Sequence, residues 1–69
     1  MKMLVKDLIA HIYTDCYIEI EQGGEETDGT YFVQKLWKGT AANVPKEYYD
    51  DEIAIITPLK YEAVKILLR

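Results

Sequence analysis

The sequence predicts a small α+β domain, in which an N-terminal helix packs on a four-stranded, mostly antiparallel sheet with a short helix between strands 2 and 3. One segment near the start repeats its apolar residues with the period of a helix, and four later segments alternate or are rich in strand formers. Gly39 and Pro45 interrupt the pattern between the second and third strands. With 69 residues, the whole chain (1–69) is expected to form a single domain with a thin core.

The N-terminal helix is predicted at residues 4–12. Leu4, Leu8 and Ile12 recur at every fourth position, which makes one face of a helix apolar. A helix of this length extends over only about 13 Å and is not stable by itself in water. It must therefore lie on the rest of the domain, and we expect it to end at Thr14–Asp15.

A β-hairpin is predicted next. Residues 16–21 alternate between apolar and polar, residues 22–29 form a loop rich in glycine and acids, and residues 30–38 are rich in strand formers. Both faces of the second strand are semi-apolar, so we expect a bulge near Gln34 or Lys35. In the first strand we expect Cys16, Ile18 and Ile20 to face the core and Tyr17, Glu19 and Glu21 to face outward.

The second half of the chain predicts a short helix and two closing strands. Pro45 suits the first position of a short helix, because that position does not need the N–H that proline lacks. Residues 46–50 are expected to continue this helix for one or two turns. Residues 61–68 could form a helix, but alternation and β-branched content favour a strand. The closing strands are predicted at residues 53–57 and 63–69, with a connection at residues 58–62.

The charge distribution argues against nucleic acid as a partner. The net charge is −4, and residues 15–28 contain six acids and neither Lys nor Arg, a pattern that repels phosphate backbones. This segment could instead mimic nucleic-acid phosphate and occupy a basic groove on a host protein, but a solvated sheet edge is the interpretation we favour. The acids are Asp15, Glu19, Glu21, Glu25, Glu26 and Asp28.

Neither catalysis nor a metal site is predicted. His11 and Cys16 are the single His and the single Cys, which allow neither a disulfide nor the usual zinc ligand set and carry no signature of a Cys–His nucleophile. The three acids at residues 50–52 enter a strand, where successive side chains point to opposite faces. We expect a protein without enzymatic activity or cofactor. The sequence also shows no secretory signal and no membrane span, so a cytoplasmic location is expected.

The aromatic residues are the strongest candidates for a partner-binding surface. Six Tyr and one Trp are too many for so small a core, and their polar tips favour wet or interfacial positions. We expect Tyr17, Tyr31 and Trp37 on the uncovered sheet face, although Trp37 could equally complete the core. A thin core also favours a homo-oligomer. Partner contacts are predicted at Tyr17, Tyr31, Trp37, Tyr48 and Tyr49 and at the acids Glu19, Glu21, Glu25 and Glu26.

A small anionic ligand is the alternative hypothesis. The free backbone amides of residues 22–29 could cradle an anion, but the neighbouring acids would oppose it without help from basic residues of another subunit. Lys35, Lys38 and Arg69 are the candidates for that role. Under this alternative the protein is a homo-oligomer that sequesters a nucleotide-like ligand at subunit boundaries.

A resemblance to a known group adds to these predictions. The opening at residues 5–9 (VKDLI), together with Gly39 and the Val-Pro-x-x-Tyr run within residues 44–53, resembles small accessory proteins of phages and prophages in Gram-positive bacteria. The likeness extends over most of the chain, and its motifs are structural rather than chemical. It implies a non-enzymatic protein that binds and inhibits a host or defence factor in the bacterial cytoplasm.

Overall fold

The computed structural model describes residues 2–25, 28–29 and 31–69, and it confirms the predicted α+β fold. One short helix near the N-terminus packs on a four-stranded mixed sheet that is mostly antiparallel. In the described part of the chain, no helix has the length and apolarity needed to cross a membrane. The elements are α1 (Val5–Ile9), β1 (Tyr17–Glu25), β2 (Tyr31–Thr40), β3 (Ile53–Leu59) and β4 (Ala63–Leu68), with 3-10 turns at Ala41–Asn43 and Lys46–Tyr48.

The strand order of the sheet is β2-β1-β4-β3. β1 pairs with β2 in antiparallel fashion and with β4 in parallel, while β3 and β4 form the second antiparallel pair. Since β2 and β3 occupy opposite edges, the chain between them must cross the whole sheet. This crossing segment, residues 41–52, covers one face together with α1. We call the opposite, uncovered side the open face.

The core lies between the two central strands and the elements that cover them. Ile18, Ile20 and Ile66 are fully buried on β1 and β4, and Val5 of α1 is fully buried against them. Each such side chain contributes about 1.5–3 kcal/mol by leaving water. The buried apolar residues of the described chain are Val5, Cys16, Ile18, Ile20, Ala41, Val44, Ile53, Ile66 and Leu68.

Helix α1 is shorter than predicted, because it ends at Ile9 rather than Ile12. The backbone N–H of His11 donates to the carbonyl oxygen of Leu8 (3.0 Å), three residues back. The ring Nδ1 of His11 lies 2.8 Å from the carbonyl oxygen of Asp7, the acceptor that a continuing α-helix would use for that N–H. The side chain thus competes with the next helical turn.

Backbone hydrogen bonds attach α1 to the end of the crossing segment. The N–H of Val5 donates to the carbonyl oxygen of Asp51, and the N–H of Lys6 donates to the carbonyl oxygen of Tyr49. The distance between donor nitrogen and acceptor oxygen is 3.0 Å in both bonds. Lys6 Nζ also lies 3.0 Å from Asp50 Oδ1, and the hydrogen bond and charge of Asp50 raise the pKa of Lys6. Because its pKa is higher in the folded chain, protonated Lys6 stabilises the fold in full at pH values below the pKa that Lys6 has in the unfolded chain. Neutral pH lies in that range. This contribution is lost only as the pH rises through the folded pKa.

The hairpin strands are longer than predicted. β1 continues through residues 22–25, which were predicted to be a loop, and β2 continues past Gly39 to Thr40. Pairing between the strands extends from Tyr17 opposite Thr40 to Glu25 opposite Tyr31. The paired backbone of the hairpin therefore outweighs the low strand propensity of the glycines.

The connections in the second half also differ from the prediction. A 3-10 turn at Lys46–Tyr48 replaces the expected helix at residues 46–50, and Pro45 precedes this turn rather than starting it. Pro58, predicted in a connection, lies within β3, where an edge strand tolerates the missing N–H. The last segment forms β4 and not a helix, as predicted.

We predict that Ile66→Ala lowers the free energy of unfolding by about 2–5 kcal/mol, because it leaves a cavity at a fully buried position. Ile56, the register partner of Ile66 on the edge strand, is 37% exposed and is the matched control. Ile56→Ala should cost about 1 kcal/mol or less. Urea denaturation followed by circular dichroism measures both, and equal losses would contradict the placement of the core.

Candidate functional site: the open face of the sheet

The open face presents alternate residues of all four strands. Its centre carries acids on β1 between lysines on β2 and β4, and apolar side chains lie toward its margins. The strand registers place on this face Tyr17, Glu19 and Glu21 of β1, Tyr31, Val33, Lys35 and Lys38 of β2, Ile55, Thr57 and Leu59 of β3, and Ala63, Lys65 and Leu67 of β4.

A bulge in β2 determines which of its side chains reach the open face. Ile20 pairs with Trp37, but the next residue, Glu21, pairs with Lys35, so Leu36 is the extra residue. The predicted bulge near Gln34 or Lys35 is therefore present and lies one residue further along. A bulge reverses the alternation of the strand that contains it. This reconciles the two semi-apolar faces of the sequence.

The bulge turns Trp37 toward the core, so of the two positions predicted for Trp37 the one in the core is correct and the one on the open face is wrong. Trp37 pairs with the fully buried Ile20 and packs, half-buried, against the hydrophobic core. Its ring lies over Gly39 on the same side of the strand, where an added Cβ would come within 2.7 Å of the indole. The reversed alternation also places Lys38, the residue after Trp37, on the open face.

Glu19 and Glu21 lie in register with lysines on the flanking strands. Glu19 has Lys38 on one side and Lys65 on the other, and Glu21 has Lys35 as its partner on β2. Opposite charges at such cross-strand positions stabilise a sheet by about 0.2–1 kcal/mol per pair. This alternation of sign keeps the centre of the open face close to neutral.

Glu21 lies on the open face, as predicted, but it is buried there. Only 7% of the residue is exposed, which its outward facing did not predict. Its Oε1 is 3.9 Å from Lys65 Nζ, which is an ion pair but too long for a hydrogen bond. A charge removed from water to this degree is costly unless it is paired.

A pocket of about 250 Å³ lies beside the bulge. Pockets that hold drug-sized ligands measure roughly 300–1,000 Å³, so this one suits a small anion or one side chain of a partner. A whole nucleotide would need a second surface to close over it. The lining residues are Glu19, Ile20, Glu21, Lys35, Leu36, Trp37 and Lys38.

The structure separates the predicted partner-binding residues into two groups. Tyr17 (37% exposed) and Tyr31 (80% exposed) share the open face with Glu19 and Glu21. Tyr48 and Tyr49 belong to the crossing segment on the opposite side, where they pack half-buried against the core with Trp37. Glu25 ends β1 opposite Tyr31, and Glu26 lies outside the described residues.

Of the three predicted ligand-binding residues, the two lysines line one pocket and Arg69 does not. Lys35 and Lys38 line the same pocket. Arg69 Nε lies 3.0 Å from Glu52 Oε1, and Glu52 directly precedes β3, on the far side of β4 from β2. Arg69 therefore cannot assist the two lysines within one chain.

The candidate catalytic and metal-binding side chains are engaged separately. Cys16 Sγ donates to the carbonyl oxygen of Glu62 (3.0 Å), whereas the ring of His11 contacts Asp7. Among the residues at 50–52, Asp50 pairs with Lys6 and Glu52 with Arg69. Within residues 2–25, 28–29 and 31–69, no three His, Cys, Asp or Glu side chains are grouped to hold a metal ion.

Sequence reasoning missed Lys65 and the apolar margin of the open face at Val33, Ile55 and Leu59. The alternation of the last strand does separate Lys65 from Val64 and Ile66. No local pattern, however, indicates that β4 pairs in parallel with β1.

Comparison with protein-family models, with curated proteins and with solved structures found no match.

We predict that Gly39→Ala displaces the Trp37 indole, because the new methyl group would overlap the ring. Overpacking of this kind costs about 1–3 kcal/mol. Trp37 is the single tryptophan, so its fluorescence should shift to longer wavelength as the ring becomes exposed. Gly23→Ala is the control, since its Cβ would meet Leu67 at an ordinary 3.9 Å. Unchanged emission from Gly39→Ala would contradict the core position of Trp37.

Proposed function

We propose that this chain is a non-enzymatic binding protein of the bacterial cytoplasm that acts on another protein through its open face. The supporting observation is the distribution of exposed apolar side chains. Ten large hydrophobic residues of the described chain are exposed, and five of them belong to this one face. Exposed apolar area that one face shares is available for burial against another protein. The five are Tyr17, Tyr31, Val33, Ile55 and Leu59.

The chemistry of the open face favours a protein over other partners. Tyrosines on a surface of mixed charge are typical of protein interfaces, where buried aromatic anchors supply most of the binding energy and polar groups surround them. Glu19 and Glu21 at the centre of the face, in a chain of net charge −4, disfavour a phosphate backbone. The resemblance to phage accessory proteins suggests that the partner is a host or defence factor, which binding would inhibit.

We predict that Tyr31→Ala weakens partner binding by tenfold or more, because truncating an aromatic anchor removes over about 1.4 kcal/mol. Tyr31 is 80% exposed, so the fold should not change. Tyr13→Ala is the matched control, since Tyr13 is equally exposed but precedes β1 and lies outside the sheet. The partner, isolated from a Gram-positive host lysate, is titrated against each variant by calorimetry.

Equal affinities for the Tyr31 and Tyr13 variants would remove the open face from the proposed function. Trp37 and Tyr49 are unsuitable probes, because both pack against the core and their truncation would weaken the fold itself. Urea denaturation of each variant separates a loss of binding from a loss of stability.

A second candidate function is the capture of a small anion by a homo-oligomer, with the ligand held at a subunit boundary. The supporting observation is that Lys35 and Lys38 both line the pocket beside the bulge. Glu19 and Glu21 line it too, so basic residues of a second subunit would have to outweigh the two acids. Two exposed ammonium groups on one rim can bind a phosphate as point charges. A subunit boundary would supply the surface that a nucleotide-like ligand needs beyond about 250 Å³.

We predict for this candidate that the double substitution Lys35→Met and Lys38→Met abolishes pyrophosphate binding measured by calorimetry. Methionine keeps most of the length of the side chain and removes the charge. Arg69→Met is the control, because Arg69 pairs with Glu52 away from the pocket, and it should bind pyrophosphate like the wild type. No heat of binding with the wild type, or equal binding by all variants, would exclude the candidate.

A further inference from the structure

We infer that the open face is self-complementary and that, in the free protein, it pairs with the open face of a second copy of this chain. The two copies are related by a two-fold axis lying between their sheets. This inference goes beyond the proposed function, because it concerns the chain without its partner. A partner that binds the open face would have to displace the second copy.

The arrangement of charges supports a second copy. β1 presents Glu19 and Glu21, and the flanking strands present Lys35 and Lys38 on one side and Lys65 on the other. At the centre of this face, Glu19, Glu21 and the strand positions in register with them therefore contribute three lysines and two glutamates, whereas the whole chain has a net charge of −4. Two copies of a chain with this net charge repel each other. The repulsion is weakest where two open faces meet, because each face presents both acids and lysines.

The strand order determines how two such faces meet. With the two-fold axis along the strands and between β1 and β4, the β1 of each copy lies over the β4 of the other. Glu19 then faces Lys65 of the second copy, Glu21 lies opposite Leu67, and β2 lies over β3. The stems of Lys35 and Lys38 would cover Ile55 and Leu59 of the second copy, which are exposed in the single chain.

Other occupants fit this face less well. An acidic partner would meet Glu19 and Glu21 at the centre, a basic one would meet the lysines on both sides, and an apolar one would cover both signs of charge without pairing them. A standard interface takes about 800 Å² from each partner, or about 15% of the 5208 Å² surface of this chain. One face of a four-stranded sheet is of that order.

The test uses two neighbouring isoleucines on opposite sides of β3. Ile55 lies on the open face and Ile56 on the other, and both are exposed (55% and 37%). Ile55→Lys should raise the dimer Kd by tenfold or more, because it adds a cation beside the lysines of the second copy. Ile56→Lys should leave it unchanged. Sedimentation velocity over a concentration series measures both.

The wild type provides a readout that needs no substitution. Raising NaCl from about 0.05 M to about 0.5 M should weaken the dimer, since screening reduces the attraction between exposed opposite charges. Lys65→Met should weaken it at low salt and reduce its sensitivity to salt. Circular dichroism confirms that each variant is folded.

A monomer at every concentration tested would overturn the inference, and so would a dimer that Ile55→Lys and Ile56→Lys affect equally. Neither result bears on the proposed function, which the Tyr31 and Tyr13 variants test in the presence of the partner. Conversely, a salt-sensitive dimer with no protein partner would support this inference alone.

Discussion

The parallel pairing of β1 with β4 is the constraint on which the rest of the structure depends. These two strands are the centre of the sheet, and each contributes to both of its faces. On one face the pairing puts Ile18 and Ile20 beside Ile66 and thereby builds the core. On the other face the same register puts Glu19 beside Lys65. Core and candidate site are therefore two consequences of one set of backbone hydrogen bonds.

The bulge at Leu36 is the second constraint, and it affects both faces together. By reversing the alternation of β2, it directs Trp37 onto the core and Lys38 onto the open face. Without that reversal, a large ring would share the open face with Lys35, and the core would lack its largest side chain. In a chain with nine buried apolar residues among those described, losing that ring would be a substantial loss.

The short helix and the crossing segment cover one side of the sheet only, which leaves the open face uncovered in the single chain. A chain of 69 residues has too few elements to cover both faces of four strands. The uncovered face combines exposed tyrosines and aliphatic side chains with paired acids and lysines. Such a surface combines polar groups that water can solvate with apolar area that a second polypeptide can bury.

The fold class, the order of the elements and the facing of Cys16, Ile18 and Ile20 could all be predicted from the chain, because they follow from the local periodicity of helix and strand backbones. The need for a bulge in β2 could be predicted too. The partner of β4, the burial of Glu21, the end of α1 and the choice between two positions for Trp37 emerged only from the folded structure. Each of these depends on contacts between residues distant in sequence. Local patterns do not encode the register of such contacts, since an alternating strand can pair with several different strands and still bury the same face.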